Sequence, residues 1–224
     1  MTDRQYLLGL ISEGEHQQQD FKYKVQDAVK LARSVSAFAN TEGGRLLIGV
    51  RDDGHLSGVR SEEEIYMMHQ AAYRYCRPEA SIRFDTYRVA PTQPVSAGPR
   101  GSALRTIVVA TVPRSDRRPV MALDEDGRQR AYVRIADENI VASPVHLSIW
   151  REEQSPRGVS FVYGDDERSL LAALQHNQPL TLSQVVRASG LPRPRAVRLL
   201  ARMVRYGLAG MHYAGSQFVF QLSN

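Results

Sequence analysis

The stretch from Ala37 to Gly54, AFANTEGGRLLIGVRDDG, constrains the fold more than any other part of this chain. Asn40 and the pair Gly43–Gly44 end a helical pattern, because glycine adopts positive φ without a steric penalty. The apolar run from Leu46 to Val50 has the length of a buried strand, and an Asp-Asp-Gly turn follows it. Carboxylates at the exit of a central strand are typical of functional sites on α/β sheets, although the same pair could simply cap the turn.

The charge balance indicates an acidic partner such as nucleic acid. The 224 residues include 29 Lys and Arg against 24 Asp and Glu, which gives a net charge of +5 and a pI near 9.5. Only Lys22, Lys24 and Lys30 are lysines, and arginine suits bidentate phosphate and guanine contacts. A GC-rich genome would produce the same arginine bias, so the bias alone does not decide the partner.

The chain has the features of a soluble protein without a disulfide framework. Cys76 is the only cysteine, and the six histidines show no metal-ligand spacing. Charged residues interrupt the N-terminal segment, so it does not read as a signal peptide, and no apolar run is long enough to span a bilayer. The expected localisation is cytoplasmic, with no membrane partner.

The pattern of elements predicts an α+β protein with two domains. A polar connector over residues 154–164 separates a mixed α/β domain, residues 1–153, from a smaller domain, residues 165–224. The predicted elements of the first domain include a helix over Val25–Phe38 and a helix that begins at Ser61 with a capping box completed by Glu64. A helix from Val145 to Glu153 closes this domain.

The last sixty residues predict a winged helix-turn-helix. Thr181 caps a helix with Gln184 at the capping-box position, and Gly190 ends that helix. A further helix follows Pro194, and a hairpin turns at Gly215–Ser216. Helix, short strand, helix, turn, helix and hairpin is the order of a winged helix-turn-helix.

The helix after Pro194 carries a face of arginines. On a helical wheel the four residues fall within one sector, opposite the apolar residues; they are Arg195, Arg198, Arg202 and Arg205. In this fold that helix enters the DNA major groove, where arginine reads guanine or grips phosphate. The alternative is a solvated face, or a face docked on acidic residues of the first domain.

Four segments of the first domain together resemble the Schlafen/AlbA-like DNA-binding domain of bacterial predicted transcriptional regulators. They are Glu15 with Asp20-Phe21-Lys22, the run from Ser36 to Gly44, the run from Leu47 to Gly54, and Tyr132–Ile135 with Asn139 and Ala142–Ser143. The resemblance spans about residues 13 to 143. It implies a nucleic-acid-binding domain, and members that carry a winged helix after it are commonly regulators.

The resemblance also implies an alternative function. Related Schlafen domains cleave structured RNA with three acidic residues and a divalent metal, which here correspond to Glu15, Asp20 and Asp52. Three carboxylates can hold Mg²⁺ or Mn²⁺ and stabilise charge on a phosphate. Asp20 stands where the family has Glu, and the Schlafen nuclease uses two such lobes where this chain has one.

We therefore predict a nucleic-acid-binding protein, a DNA-binding transcriptional regulator that needs no cofactor, with DNA favoured over RNA. The alternatives are a metal-dependent endoribonuclease and a non-catalytic interaction module. In the first domain Lys22, Arg45 and Arg134 are candidate phosphate contacts, and each could instead be a structural ion-pair partner. The sequence is also compatible with a homodimer.

Overall fold

The chain folds into two compact units, Met1–Val141 and Ala142–Asn224. A computed structural model describes residues 2–90, 104–155, 163–175 and 179–223. The mixture of helices and sheets in these residues confirms the predicted α+β class. Most of the predicted connector, residues 156–162, lies outside the described residues.

The described part of the first unit combines helices with two four-stranded sheets. The helices are α1 (Asp3–Ser12), α2 (Ala28–Asn40) and α3 (Ser61–His69), and α3 continues into a π-helical turn (Gln70–Arg74). The strands are β1 (Gln19–Lys22), β2 (Gly44–Ile48), β3 (Cys76–Arg77), β4 (Arg83–Val89), β5 (Arg105–Val112), β6 (Met121–Leu123), β7 (Gln129–Ile135) and β8 (Glu138–Val141). The sheet orders are β1-β2-β5-β4 and β3-β6-β7-β8, so β2 lies inside its sheet as predicted.

Strand β2 divides the core of the first unit because its side chains alternate between two faces. Leu46 and Ile48 pack with Phe38 and α2 on one face, in a cluster that extends to the second sheet. Leu47 packs on the other face with residues of α1. All of these side chains are buried, so the predicted apolar run is a two-sided buried strand.

The two glycines at the start of β2, Gly43 and Gly44, allow α2 to approach that strand closely. Gly43 has a φ of +77°, and a Cβ there would lie 2.9 Å from the backbone nitrogen of Arg114. A Cβ on Gly44 would lie 2.2 Å from the Phe38 ring. The pair therefore provides both a left-handed turn and the space that Phe38 fills.

Helix α2 begins later than predicted, and helix α3 lacks its predicted cap. Helix α2 begins at Ala28 because Asp27 Oδ1 accepts hydrogen bonds from the backbone nitrogens of Val29 and Lys30. Helix α3 has no side-chain cap, and the predicted capping box is wrong. The buried Glu64 carboxylate instead accepts a hydrogen bond from Val25 N at 2.9 Å, a long-range contact that the local pattern could not indicate.

The second unit places a three-stranded sheet after its helices. Its described elements are α4 (Pro144–Glu153), α5 (Asp165–Leu174), β9 (Leu180–Thr181), α6 (Leu182–Ser189), α7 (Arg193–Arg205), β10 (Ala209–Ala214) and β11 (Gln217–Leu222), with sheet order β10-β11-β9. Thr181 and Gln184 form the predicted capping box, and Gly190 ends α6 in the left-handed conformation. Local capping chemistry therefore positions α6 and the turn before α7.

Helix α4 belongs to the second unit, although the sequence prediction assigned it to the first domain. Val145 is fully buried in the cluster that contains Leu199 and Phe220 of α7 and β11. The division falls between Val141 and Ala142 rather than after residue 153. The sequence prediction placed the boundary at the polar connector. The apolar face of α4 is instead buried against elements that come later in the chain, so the boundary lies before α4.

Protonation of His146 is expected to destabilise the second unit. Its Nδ1 accepts a hydrogen bond from Ser143 N, its ring packs against Trp150 and Phe218, and burial lowers its pKa to about 4. The unfolded chain binds this proton near pH 6.5, so the stabilisation is complete above that pH and is lost as the pH falls toward 4. We expect the free energy of unfolding to fall by about 1 kcal/mol per pH unit across this window.

Urea unfolding followed by Trp150 fluorescence measures this effect, because Trp150 is the single tryptophan of the chain. A His146→Leu variant should have a flatter pH profile between pH 6.5 and 4. Equal slopes for the wild-type protein and the variant would contradict the assignment.

Candidate nucleic-acid interface

The arginine face of α7 divides into two pairs with different surroundings. Arg195 Nε lies 2.7 Å from Asp166 Oδ2, and its Nη2 lies 3.6 Å from Glu167 Oε1. Arg202 Nε lies 3.3 Å from Glu152 Oε1 of α4. These two arginines are partly buried and hold α5 and α4 against α7, so their acidic partners lie within the second unit rather than in the first domain.

The other pair is available to a ligand. Arg198 and Arg205 are exposed, and neither has a hydrogen bond or ion pair among the described residues. Arg193, at the first position of α7, is exposed as well, and its Nη1 lies 3.5 Å from Ser183 Oγ. The sequence prediction did not include Arg193, because it assigned this residue to the turn before the helix rather than to the helix itself.

The three candidate cations of the first unit are all engaged within the protein. Lys22 Nζ lies 2.7 Å from Asp20 Oδ2 and donates to the backbone oxygen of Phe21. Arg45 donates to Gln19 Oε1 at 2.6 Å and pairs with Glu13. These contacts correspond to the structural alternative that the sequence left open for each residue.

Arg134 has the most enclosed environment of the three. It is fully buried, its Nη2 lies 3.4 Å from Asp20 Oδ1, and its Nη1 donates to Asn139 Oδ1 at 3.0 Å. Its guanidinium also lies over the Phe38 ring, 5.2 Å from the ring centre. A side chain in this position is part of the interior of the first unit and cannot contact a phosphate while that unit is folded.

The three acidic candidates do not form one group. Glu15 and Asp20 are adjacent, and burial together with a hydrogen bond to Asp20 raises the pKa of the Glu15 carboxyl. Asp20 is buried between Arg134 and Lys22. Asp52 is exposed in the turn after β2, where the neighbouring Asp53 accepts a hydrogen bond from His55 N.

This arrangement does not fit a divalent cation held by the three carboxylates. Among the described residues, no set of three His, Cys, Asp or Glu side chains is placed to hold a metal ion. The Asp20 carboxylate already pairs with two cationic groups, Lys22 at Oδ2 and Arg134 at Oδ1, so its charge is compensated within the protein.

Two matched domains define the class of protein as nucleic-acid-binding. Residues 15–143 match the Schlafen, AlbA_2 domain, and residues 169–210 match the IclR helix-turn-helix domain. The chain belongs to the Schlafen AlbA_2 family, as the sequence resemblance indicated. The IclR-type match covers α6 and α7, so the predicted C-terminal helix-turn-helix is confirmed.

A solved structure also resembles this chain. It is the DIP2311 protein from Corynebacterium diphtheriae, with 19% sequence identity and a TM-score of 0.46. The match covers 92% of this chain and 38% of that protein, so this chain spans well under half of its length. No curated protein matches the chain. No helix in the described residues has both the length and the apolar character needed to cross a membrane.

Proposed function

We propose that the protein is a DNA-binding transcriptional regulator whose α7 contacts duplex DNA. The proposal rests on the difference in surroundings between the two pairs of arginines on the α7 face. Arg195 and Arg202 fix the orientation of α7 through carboxylates of α5 and α4, while Arg198 and Arg205 remain exposed and without a partner among the described residues. A recognition helix needs both a fixed orientation and cations that can reach the ligand.

The neighbouring elements support the same mode of binding. In helix-turn-helix proteins the N-terminal part of the second helix approaches base edges, and flanking contacts grip the phosphate backbone. Arg193 and Arg198 lie in the first half of α7, and Arg205 is its last residue. The β10–β11 hairpin follows directly and is the proposed wing. We propose that Arg193 and Arg198 contact base edges and that Arg205 contacts a phosphate.

The Arg198→Ala/Arg205→Ala double variant is expected to weaken duplex binding by the full-length protein. Two lost phosphate or guanine contacts correspond to a rise in Kd of about 30-fold or more. If both arginines contact phosphates, the slope of log K against log salt should become shallower by about 2. Fluorescence anisotropy with a labelled duplex at several salt concentrations measures both quantities.

A charge-matched control is Arg151→Ala/Arg168→Ala. These arginines are exposed on α4 and α5 and lie outside the α7 face. The control removes the same net charge, so it should leave most of the duplex affinity intact. Equal losses in the two double variants would mean that binding depends on overall charge, and undiminished affinity in Arg198→Ala/Arg205→Ala would overturn the proposal.

A further inference from the structure

An aromatic stripe runs along the outer surface of α3 and the π-helical turn. Tyr66, His69 and Tyr73 are exposed and are spaced by three and four residues, which places them on one helical face. The His69 and Tyr73 rings are stacked, with centres 5.3 Å apart and planes 25° apart. The His69 ring also lies 5.0 Å from the Phe84 ring of β4. These four residues are named the aromatic stripe.

The exposure of the stripe is high for aromatic side chains. Tyr66 is 62% exposed and Tyr73 is 43% exposed. The stripe extends about 10 Å from Tyr66 to Tyr73 along the helix axis, which matches about three stacked bases at ~3.4 Å each. π-helical turns occur frequently at functional sites, and this one presents Tyr73.

The charges along the stripe favour a polyanion. Between residues 66 and 78 the sequence contains no Asp or Glu, but it contains Arg74 and Arg77, both of which are exposed. Arg77 Nη1 donates to the backbone oxygens of Tyr73 at 3.0 Å and Cys76 at 2.6 Å, so its guanidinium is held against the end of the π-helical turn. Arg88 is exposed on β4, on the same face of the strand as Phe84. The nearest carboxylates in the sequence flank the stripe: Glu62 and Glu63 at the start of α3, where Glu63 pairs with Arg60, Glu79 after Pro78, and Asp85 of β4, which pairs with Arg83.

We propose that the aromatic stripe binds single-stranded nucleic acid, with bases stacked on Tyr66 and Tyr73 and phosphates close to Arg74, Arg77 and Arg88. Exposed aromatic rings beside cations are the features of single-strand binding surfaces. The rings cannot stack well on the bases of a duplex, because those bases are already stacked on one another. This surface is therefore separate from the proposed duplex contact of α7.

The test is fluorescence anisotropy of the full-length protein with labelled oligothymidine and oligouridine of about 20 nucleotides, longer than the ~4–16 nucleotides of a typical single-strand site. We expect the Tyr66→Ala/Tyr73→Ala variant to raise the Kd for single strands by about tenfold or more. The two oligonucleotides show whether the protein binds the deoxyribose strand, the ribose strand or both.

The chain offers a closely matched control, Tyr23→Ala/Tyr163→Ala. Tyr23 is 43% exposed and Tyr163 is 57% exposed, and both lie outside the stripe. This variant should bind single strands as tightly as the wild type. The Arg198→Ala/Arg205→Ala variant should also retain single-strand binding, so a failure of the duplex proposal is distinguishable from a failure of this one.

Two results would overturn the proposal. The first is absence of single-strand binding by the wild-type protein, and the second is an unchanged Kd in Tyr66→Ala/Tyr73→Ala. In the second case, light scattering would show whether that variant has also lost dimer mass. Such a loss would make the stripe and the edge strand β4 an interface between two copies of the chain.

Discussion

Replacing Arg134 with methionine is expected to lower the free energy of unfolding of the N-terminal unit by about 3 kcal/mol. The substitution leaves Asp20 Oδ1 buried without its cation and removes the donor to Asn139 Oδ1. Lys22 remains near the second oxygen of Asp20, so the expected loss is at the lower end of the range for broken buried pairs. Urea unfolding followed by far-UV circular dichroism measures the change.

The comparison variant for Arg134 is Arg83→Met. Arg83 also pairs with an aspartate, Asp85, at 3.4 Å, but its side chain is 74% exposed. An exposed pair contributes about 0.2–1 kcal/mol, so this variant should change stability little. A similar small change in Arg134→Met would show that the buried pair does not stabilise the fold and would reopen Arg134 as a ligand contact.

The second large effect is expected for Asn40→Leu, again about 3 kcal/mol of lost stability. Asn40 is buried at the end of α2, where Oδ1 accepts from Val120 N at 2.7 Å. Its Nδ2 donates to the backbone oxygens of Val120 and Tyr132. Leucine has similar bulk but no hydrogen-bonding groups, so it leaves the Val120 N–H and the Tyr132 carbonyl buried without this partner.

The neighbouring residue provides a graded comparison. Thr41 Oγ1 accepts a single backbone hydrogen bond, from Arg134 N at 2.9 Å, so Thr41→Val should cost about 1 kcal/mol. Fluorescence of Trp150 should report unchanged stability of the second unit in both variants. Equal stability of Asn40→Leu and Thr41→Val would contradict the role assigned to the Asn40 side chain.

The sequence predicted contacts between residues that are close together in the chain, but not contacts between residues that are far apart in the chain. The capping box of Thr181 and Gln184 depends on residues three apart, and the pattern predicted it. Gln19 and Arg134 are 115 residues apart, and their contact depends on how β1 approaches β7. Strands β3, β6 and β8 are two to four residues long, too short for a periodic pattern to indicate them.

The arginine face of α7 shows what a helical wheel can predict and what it cannot. The wheel correctly separates the polar and apolar sides of α7, because that separation depends only on helix geometry. It cannot distinguish Arg198 from Arg202, because the difference lies in Glu152, a residue of another helix. Arg45 and Arg134 of the first unit likewise have partners distant in sequence, Glu13 and Asp20, whereas Lys22 pairs with Asp20 two residues away.

The membership of α4 in the second unit determines the smallest fragment expected to fold independently. A fragment that begins at the IclR-type match, residue 169, would lack Val145 from its core and Glu152 beside Arg202. In that fragment α7 would expose apolar surface, and Arg202 would lose its carboxylate partner. The smallest fragment expected to fold independently therefore begins at Ala142. In a shorter fragment the surface of α7 would differ from its surface in the full-length protein, and so would any binding measured on it.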